Sequence, residues 1–334
     1  MMPVSFIIAG DLHFRSEPPR NRKDNYEKAI LTKLYEVFQI AHDHGVKAII
    51  IPGDIFDSSN VSLSTIAKLG EFLQVCTQEF GAEVLTISGN HDIPAGNKNA
   101  LPRTPYGLLE RLSFFLNIEE NTYGDDWLDE IEISGCGFDY QTDTDSGKEQ
   151  FMAANLSGES LKIHVVHSML LAASPSFPMH HTLIDDVETN ADIIISGHYH
   201  DGFGIIRRKD GKLFINPGAL CRLSASQAEM NRRVQVALLT VNSKTDFHAE
   251  LIPLKSSRPA EEVLDREAIV EKKEHENWLE SFFDSLQQEG EEKFLEVREI
   301  VEKIASLENV SDGVKLEALK RIGEAREKLG RGVM

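Results

Sequence analysis

Cysteine is nearly missing: 3 residues in 334, at positions 76, 136 and 221, odd in number, far apart and without Cys-x-x-Cys spacing. That pattern excludes a disulfide framework and a cysteine-ligated zinc knuckle, and it predicts buried free thiols in a reducing cytosol. Basic residues are also scarce. The chain has 35 Lys and Arg against 54 Asp and Glu, a formal net charge of −19, so it has no broad cationic face with which to coat a phosphate backbone. A local cationic spot, such as bound divalent ions supply, stays open. No apolar run approaches the ~18 residues of a membrane span. The N-terminus passes straight into Asp11 and His13 without a basic n-region or cleavage site, so no membrane association and a cytoplasmic location are expected.

Apolar residues make up 41% and charged residues 27% of the chain, the balance of an ordinary globular protein. The informative stretch is Ile49-Ile50-Ile51-Pro52-Gly53-Asp54-Ile55-Phe56-Asp57, echoed at Leu85-Thr86-Ile87-Ser88-Gly89-Asn90-His91-Asp92. Each is a short apolar run that reads as a buried strand and breaks at a glycine into polar side chains. Phe6-Ile7-Ile8-Ala9-Gly10 likewise enters Asp11-Leu12-His13, and Ile193-Ile194-Ile195-Ser196-Gly197 enters His198-Tyr199-His200. A fifth run, Ile163-His164-Val165-Val166, ends in His167. In open α/β sheets ligands bind beyond the carboxyl ends of the strands, so five such ends are expected to converge on one site.

Between these blocks, apolar residues from Tyr26 to Ala41 recur at three- and four-residue intervals and predict an amphipathic helix over 25–43, stopped by Gly45. Ser62 or Ser64 is placed to cap a second helix that Gly81 ends. Thr104-Pro105 reads as the cap and first turn of a third. Residues 93–103 have no periodicity and read as a loop near the site. Beyond Asn117 the pattern turns to strands at 130–134, 161–167, 193–196, 212–215, 234–241 and 247–254. Two mixed sheets packed face to face with helices outside, a four-layer α/β sandwich, accounts for the change. The expected division is a catalytic domain over 1–255 and a charged helical extension over 256–334. In that extension, stripes run through Trp278, Leu279, Phe282, Phe283 and Leu286 and through Phe294, Val297, Val301 and Ile304, with a last helix around Leu316, Leu319 and Ile322. Such stripes pack on their own protein or dock a partner.

The strand ends together offer Asp11, His13, Asp54, Asn90, His167, His198 and His200. A lone Asp-x-His or His-x-His is usually an accident of surface or core, but five blocks in one order are a much stronger signal. Mixed oxygen and nitrogen donors without cysteine suit Mn²⁺, Fe²⁺ or Zn²⁺. Two ions ~3.5 to 4 Å apart need a bridging ligand, and Asp54 is the choice. His91, beside Asn90, is placed to protonate a leaving oxygen. Asp57 is expected to accept a hydrogen bond from His91 and hold its tautomer. Arg15, Arg20 and Arg22, with Lys23, make the 14–24 loop cationic, which suits either a substrate phosphate or a solvated loop. The other histidines, His180-His181 the least settled of them, read as structural or solvated.

These blocks, Asp11-Leu12-His13, Gly53 to Asp57, Gly89 to Asp92, His167 and Gly197 to His200, resemble those of the calcineurin-like metallophosphoesterases. Gly53 to Asp57, the helix carrying Leu108 to Leu112 and the Asn216-Pro217-Gly218 turn resemble, more narrowly, the SbcD-type DNA-repair exonucleases in their bacterial and phage form. The resemblance implies a sandwich fold and two divalent ions, usually manganese. Asp11, His13, Asp54 and His200 would hold one ion, and Asp54, Asn90, His167 and His198 the other, with His91 as the catalytic histidine. It further implies DNA as substrate, an SMC-like ATPase of the SbcC type as partner, and a possible homodimer. Two alternatives are a phosphatase or phosphodiesterase on a nucleotide or phosphoprotein, and an interaction subunit with a vestigial metal site.

Overall fold

A computed structural model describes residues 3–119, 130–154, 160–175 and 178–265, together with 301, 305, 310, 311 and 313–321. The chain divides into two compact units, 1–265 and 266–334. In the second unit a helix runs over 313–321. The stripe through Trp278 lies outside the described residues, as do Phe294, Val297, Ile304 and Ile322; Val301 is helical.

The first unit opens with strand β1 (Val4–Ile8), helix α1 (Tyr26–Asp43), β2 (Ala48–Ile51), α2 (Leu63–Phe80), β3 (Glu83–Thr86), α3 (Pro105–Arg111) and the short β4 (Leu116–Asn117). The helix ends follow local chemistry. The Asn25 side chain accepts from Lys28 N at 2.9 Å, Ser62 Oγ from Thr65 N at 3.1 Å, and Thr104 Oγ1 from Gly107 N at 3.3 Å. Each satisfies an amide that the first turn leaves without a helical partner. Gly81, at φ +70°, ends α2 in the left-handed conformation, as its lack of Cβ permits. Within residues 93–103, Pro94–Gly96 and Lys98–Arg103 form two short 3₁₀ turns.

The second half supplies β5 (Ile131–Cys136), β6 (Leu161–Val166), β7 (Leu170–Leu171), β8 (Thr182–Leu183), β9 (Ile193–Ser196), β10 (Gly204–Arg207) and β11 (Leu213–Asn216). Helix α4 (Gln227–Asn231), the hairpin of β12 (Gln235–Ser243) and β13 (Asp246–Pro253), and α5 (Ala260–Val263) follow. One mixed sheet has the order β13-β12-β1-β2-β3-β4 and the other β10-β11-β9-β6-β5. In the first, β1 to β4 are parallel and β12 runs antiparallel to both β1 and β13.

Strand alternation sorts the core into layers. Phe6, Ile8, Ile50 and Leu85 point between the sheets, against Ile133, Ile163, Val165, Ile193 and Ile195. Ile7, Ile49 and Ile51 point the other way, onto Ile30, Leu34, Phe38, Leu69 and Leu73 of the helices. Because both faces are covered, the central strands read as unbroken apolar runs. The outer face of the second sheet (Val166, Ile194, Phe214) is covered by Phe151, Ile184 and Val187. Two 3₁₀ helices, Asp145–Phe151 and Ile184–Asp186, carry or adjoin these three residues. The fourth layer is therefore thin. Cys76 and Cys221 are buried free thiols, while Cys136 is only half-buried. No helix among the described residues is long and apolar enough to cross a membrane.

Candidate metal centre

Ladder register brings the strand ends level. Ile8 of β1 lies opposite Ile50 of β2, Ile50 opposite Leu85 of β3, and Val166 of β6 opposite Ser196 of β9. The loops that follow are then fastened to one another. Leu12 N and His13 N donate to Asp54 O at 3.1 and 2.9 Å, and Gly197 N to Val166 O at 3.1 Å. His198 N donates to Asp11 Oδ2 at 2.9 Å, a bond that joins the two sheets.

Three non-glycine residues of these loops occupy left-handed backbone: His13 at φ 47°, Asp54 at 50° and His198 at 70°. Each costs roughly 1–3 kcal/mol, strain of a kind that concentrates where a side chain must be aimed. Two of the glycines are required by contact. A Cβ on Gly89 would meet the Asp54 carboxylate, and one on Gly53, itself at φ +98°, would meet His167 Nδ1. The glycine breaks in the apolar runs thus make room for the Asp54 and His167 side chains.

Asp11, His13, Asp54 and His200 place one ligand atom each within 4.8 Å of one another, and so do Asp54, His167 and His198. Asn90 joins the second group, its Oδ1 2.9 Å from His167 Nε2. Asp54 is common to both. Its Oδ2 is buried without a hydrogen-bond partner and stands 3.4 Å from His13 Nε2 and 3.4 Å from His167 Nε2. His167 Nδ1 lies 2.7 Å from Pro52 O, and donation there leaves Nε2 as a lone pair aimed at oxygen. His13 Nε2 and His200 Nε2 also face each other at 2.9 Å. A buried carboxylate oxygen with no hydrogen-bond donor, set among imidazole nitrogens that face it and one another, is satisfied by cations between them. The donor set therefore fits two divalent ions.

The electrostatics agree. Burial pushes the Asp11 carboxyl up to about 6 against the pull of His167. Burial also works to raise Asp54, but the His167 and His13 imidazoles outweigh it and hold the carboxyl well below its ordinary range. Burial lowers His167, yet Asp54 outweighs that and raises it to about 10. Burial, and then the His167 charge, takes His198 down to about 4. Desolvation followed by repulsion from His13 depresses His200. Without ions, protons on His167 and His13 supply the positive charge that Asp54 demands.

All seven side chains expected as ligands meet here. His91 stands beside them, its ring centroid 4.6 Å from that of His13, and its Nδ1 lies 2.7 Å from the main-chain carbonyl of Asp57. The expectation for Asp57 is thus corrected in one respect: its backbone, not its carboxylate, holds the His91 tautomer. The carboxylate takes Arg15 Nη1 and lies 3.5 Å from His13 Nδ1. Arg22 also departs from expectation. It is buried, with Nε and Nη2 on Asp24 and Nη1 on Arg222 O, and so ties the fold rather than offering itself to substrate. Arg20 is exposed. His181 Nδ1 bonds Met179 O, and neither His180 nor His181 belongs to the metal groups found among the described residues.

Four supporting residues received no role from the sequence reading. Asp92 is fully buried and accepts from Gly89 N, Ile55 N and Phe56 N at 2.9, 3.2 and 3.0 Å, clamping the second block to the third. Asp143 accepts from Ser168 Oγ, Met169 N and Thr182 Oγ1 and holds the chain after His167. Phe138 lies beside the His167 and His198 rings, with centroids 6.2 and 5.8 Å away. Asn216 donates from Nδ2 to Tyr199 O at 3.1 Å and steadies the loop that carries His198 and His200. Asp92, at the end of a block, and Asn216, in the Asn216-Pro217-Gly218 turn, had a sequence signal; Asp143 and Phe138 had none.

Residues 4–202 match the family model described as calcineurin-like phosphoesterase. No curated protein matches the chain. Among solved structures, the chain is similar to a purple acid phosphatase, PPD1, from yellow lupin seeds (15% identity, 77% of this chain and 52% of that one, TM-score 0.48). It is also similar to a dimetal phosphatase from Danio rerio (10% identity, 75% and 99%, TM-score 0.45). A third is a putative 5′-nucleotidase from Staphylococcus aureus (14% identity, 83% and 59%, TM-score 0.45).

Proposed function

This chain belongs to the calcineurin-like phosphoesterases, and on that premise we propose that it is a two-metal phosphodiesterase acting on DNA, a nuclease of SbcD type. The observation that carries the metal chemistry is the partnerless Asp54 Oδ2, 3.4 Å from an imidazole nitrogen on either side. Asp11, His13, Asp54 and His200 would hold one ion, and Asp54, Asn90, His167 and His198 the other. When bound, such a pair supplies a water of lowered pKa and a clamp on the phosphoryl oxygens. Manganese is the metal we favour.

The residues themselves do the rest. His91 donates from Nδ1 to Asp57 O, which aims Nε2 outward; in its imidazolium form the ring delivers the Nε2 proton to the departing oxygen and returns to the neutral tautomer with Nδ1–H on Asp57 O. Asp57, fixed by Arg15, lies 3.5 Å from the far nitrogen of His13, where its charge favours a proton on that nitrogen. Beside the centre a cavity of about 320 Å³, lined by His91, Met169, His198, Tyr199 and Ser226, leaves space for a substrate. The choice of DNA rests on the resemblance of the Gly53 to Asp57 block, the Leu108 to Leu112 helix and the Asn216-Pro217-Gly218 turn to the SbcD-type exonucleases.

The test is hydrolysis of bis-p-nitrophenyl phosphate, linear DNA and mononucleotides with Mn²⁺. The nuclease reading expects metal-dependent cleavage of the diester and of DNA in preference to mononucleotides. Preference for mononucleotides would replace it with a nucleotidase, and absence of turnover with any divalent ion would remove the catalytic reading.

A further inference from the structure

Between α1 and the segment after β13 lies a cavity of about 310 Å³, lined in part by Arg22, Lys28, Lys33, Arg222 and Arg258, with Asp24 as its one carboxylate. Acidic residues outnumber basic ones 54 to 35 in the chain, so this cavity runs against the sign of the molecule. Arg22 is neutralised by Asp24, which takes two of its nitrogens at 2.8 Å. Arg258 at the rim is paired with Glu262 at 3.0 Å, whereas Lys33 and Arg222 are less well matched. Lys33 is 5% exposed, and its Nζ donates to the Cys221 thiol at 3.2 Å, a weak acceptor. Arg222 is 7% exposed and donates to the Glu229, Arg258 and Arg232 carbonyls and the Ser257 hydroxyl. Neither Lys33 nor Arg222 forms an ion pair with a carboxylate among the described residues. Burial, and after it the nearby Arg232, lower the Arg222 pKa. Ser256 Oγ, on the same wall, is buried without a hydrogen-bond partner.

Buried cations without counter-charge are costly and are relieved by a ligand that brings the charge. Two buried cations that lack a carboxylate, an idle hydroxyl and the rim Lys28, with Arg258 shared with Glu262, form a donor set for tetrahedral oxyanions. We propose that this cavity is a second phosphoryl-binding site, taking a dianionic phosphate group between Lys33 and Arg222, with Lys28 and Arg258 at its mouth. The space exceeds what orthophosphate needs, which favours a small phosphate monoester. The pocket backs onto the metal loop: Arg22 Cζ lies 5.2 Å from the Tyr26 ring centre, and Tyr26 OH donates to His13 O at 3.1 Å. The site does not depend on the reaction assigned to the metal centre.

The test uses the full chain, stripped of divalent ions with a chelator so that the metal centre does not capture anions. Isothermal calorimetry follows addition of orthophosphate, glycerol 2-phosphate or a nucleoside 5′-monophosphate at ionic strength fixed with chloride. One saturable site is expected, weakened at least tenfold by Lys33→Met and by the double variant Lys28→Glu/Arg258→Glu. The tightest of the three ligands tells free phosphate from a monoester. Affinity no greater than for chloride, or binding that survives the variants undiminished, overturns the proposal. Should circular dichroism show Lys33→Met unfolded, the double variant decides alone, since both of its positions are exposed.

Discussion

Asp54 Oδ2 and His167 Nε2 stand 3.4 Å apart, both buried, in a pairing that raises the imidazole pKa to about 10. In the metal-free chain the ion pair therefore adds stability that is fully present below about pH 6.5, the unfolded value of His, and is lost as pH rises through about 10. A coordinating imidazole must be deprotonated, so loading the centre with Mn²⁺ near pH 7 is expected to release protons. Calorimetry in two buffers of different ionisation enthalpy measures this. Asp54→Asn should abolish most of the release and reduce the number of bound ions. Equal heats in both buffers would count against a charged His167.

His91→Ala should leave metal content intact and lower DNA hydrolysis by about 10²–10⁴-fold, the usual worth of a positioned general acid. Bis-p-nitrophenyl phosphate has a leaving group that needs no proton, so its rate should fall less. Equal losses on both substrates would assign His91 to binding instead.

Asp92→Ala removes the acceptor for three buried amides, those of Gly89, Ile55 and Phe56. Leaving buried donors unpaired costs about 1–3 kcal/mol each, and partial relaxation brings the expected loss to about 3–5 kcal/mol. Urea unfolding checks it; a loss below about 1 kcal/mol would show that the loops hold without the clamp.

His164, outside the metal groups, is held down to about 4 by burial and bonds Ser134 Oγ and Gln150 O. Its folded value lies below the unfolded one near 6.5, so the unfolded chain takes up the proton first. Stability is expected to fall as pH drops from about 6.5 to 4, by up to about 3 kcal/mol. The denaturant midpoint should fall less between pH 7 and pH 5 in His164→Gln than in the parent. Parallel losses would place the effect on other groups.

Every residue assigned to the centre falls within the first compact unit, 1–265. A chain ending at Asp265 should therefore hydrolyse bis-p-nitrophenyl phosphate at a rate within about threefold of the full chain, the ordinary context dependence of such effects. A complete loss would show that residues 266–334 support the site.

Much of the centre is encoded locally. Apolar runs that stop at a glycine and an acid or imidazole mark the strand ends, and Asn25, Ser62 and Thr104 mark helix starts, because caps and burial patterns involve neighbours within a few positions. From these alone the seven side chains that meet at the centre, His91 and the core strands could be named, but not the order of the strands within the sheets. The short edge strands β4 and β10, and the helices α4 and α5, were not foreseen, since two to five residues hold too little periodicity to read. Nor could sequence say that Asp57 would reach His91 through its carbonyl, or that Arg22 would turn inward onto Asp24 and the Arg222 carbonyl. Those outcomes depend on which distant loops the sheet register brings level. That register, fixed by the packing of two sheets against each other, also set Asp54 between two imidazoles drawn from opposite halves of the fold.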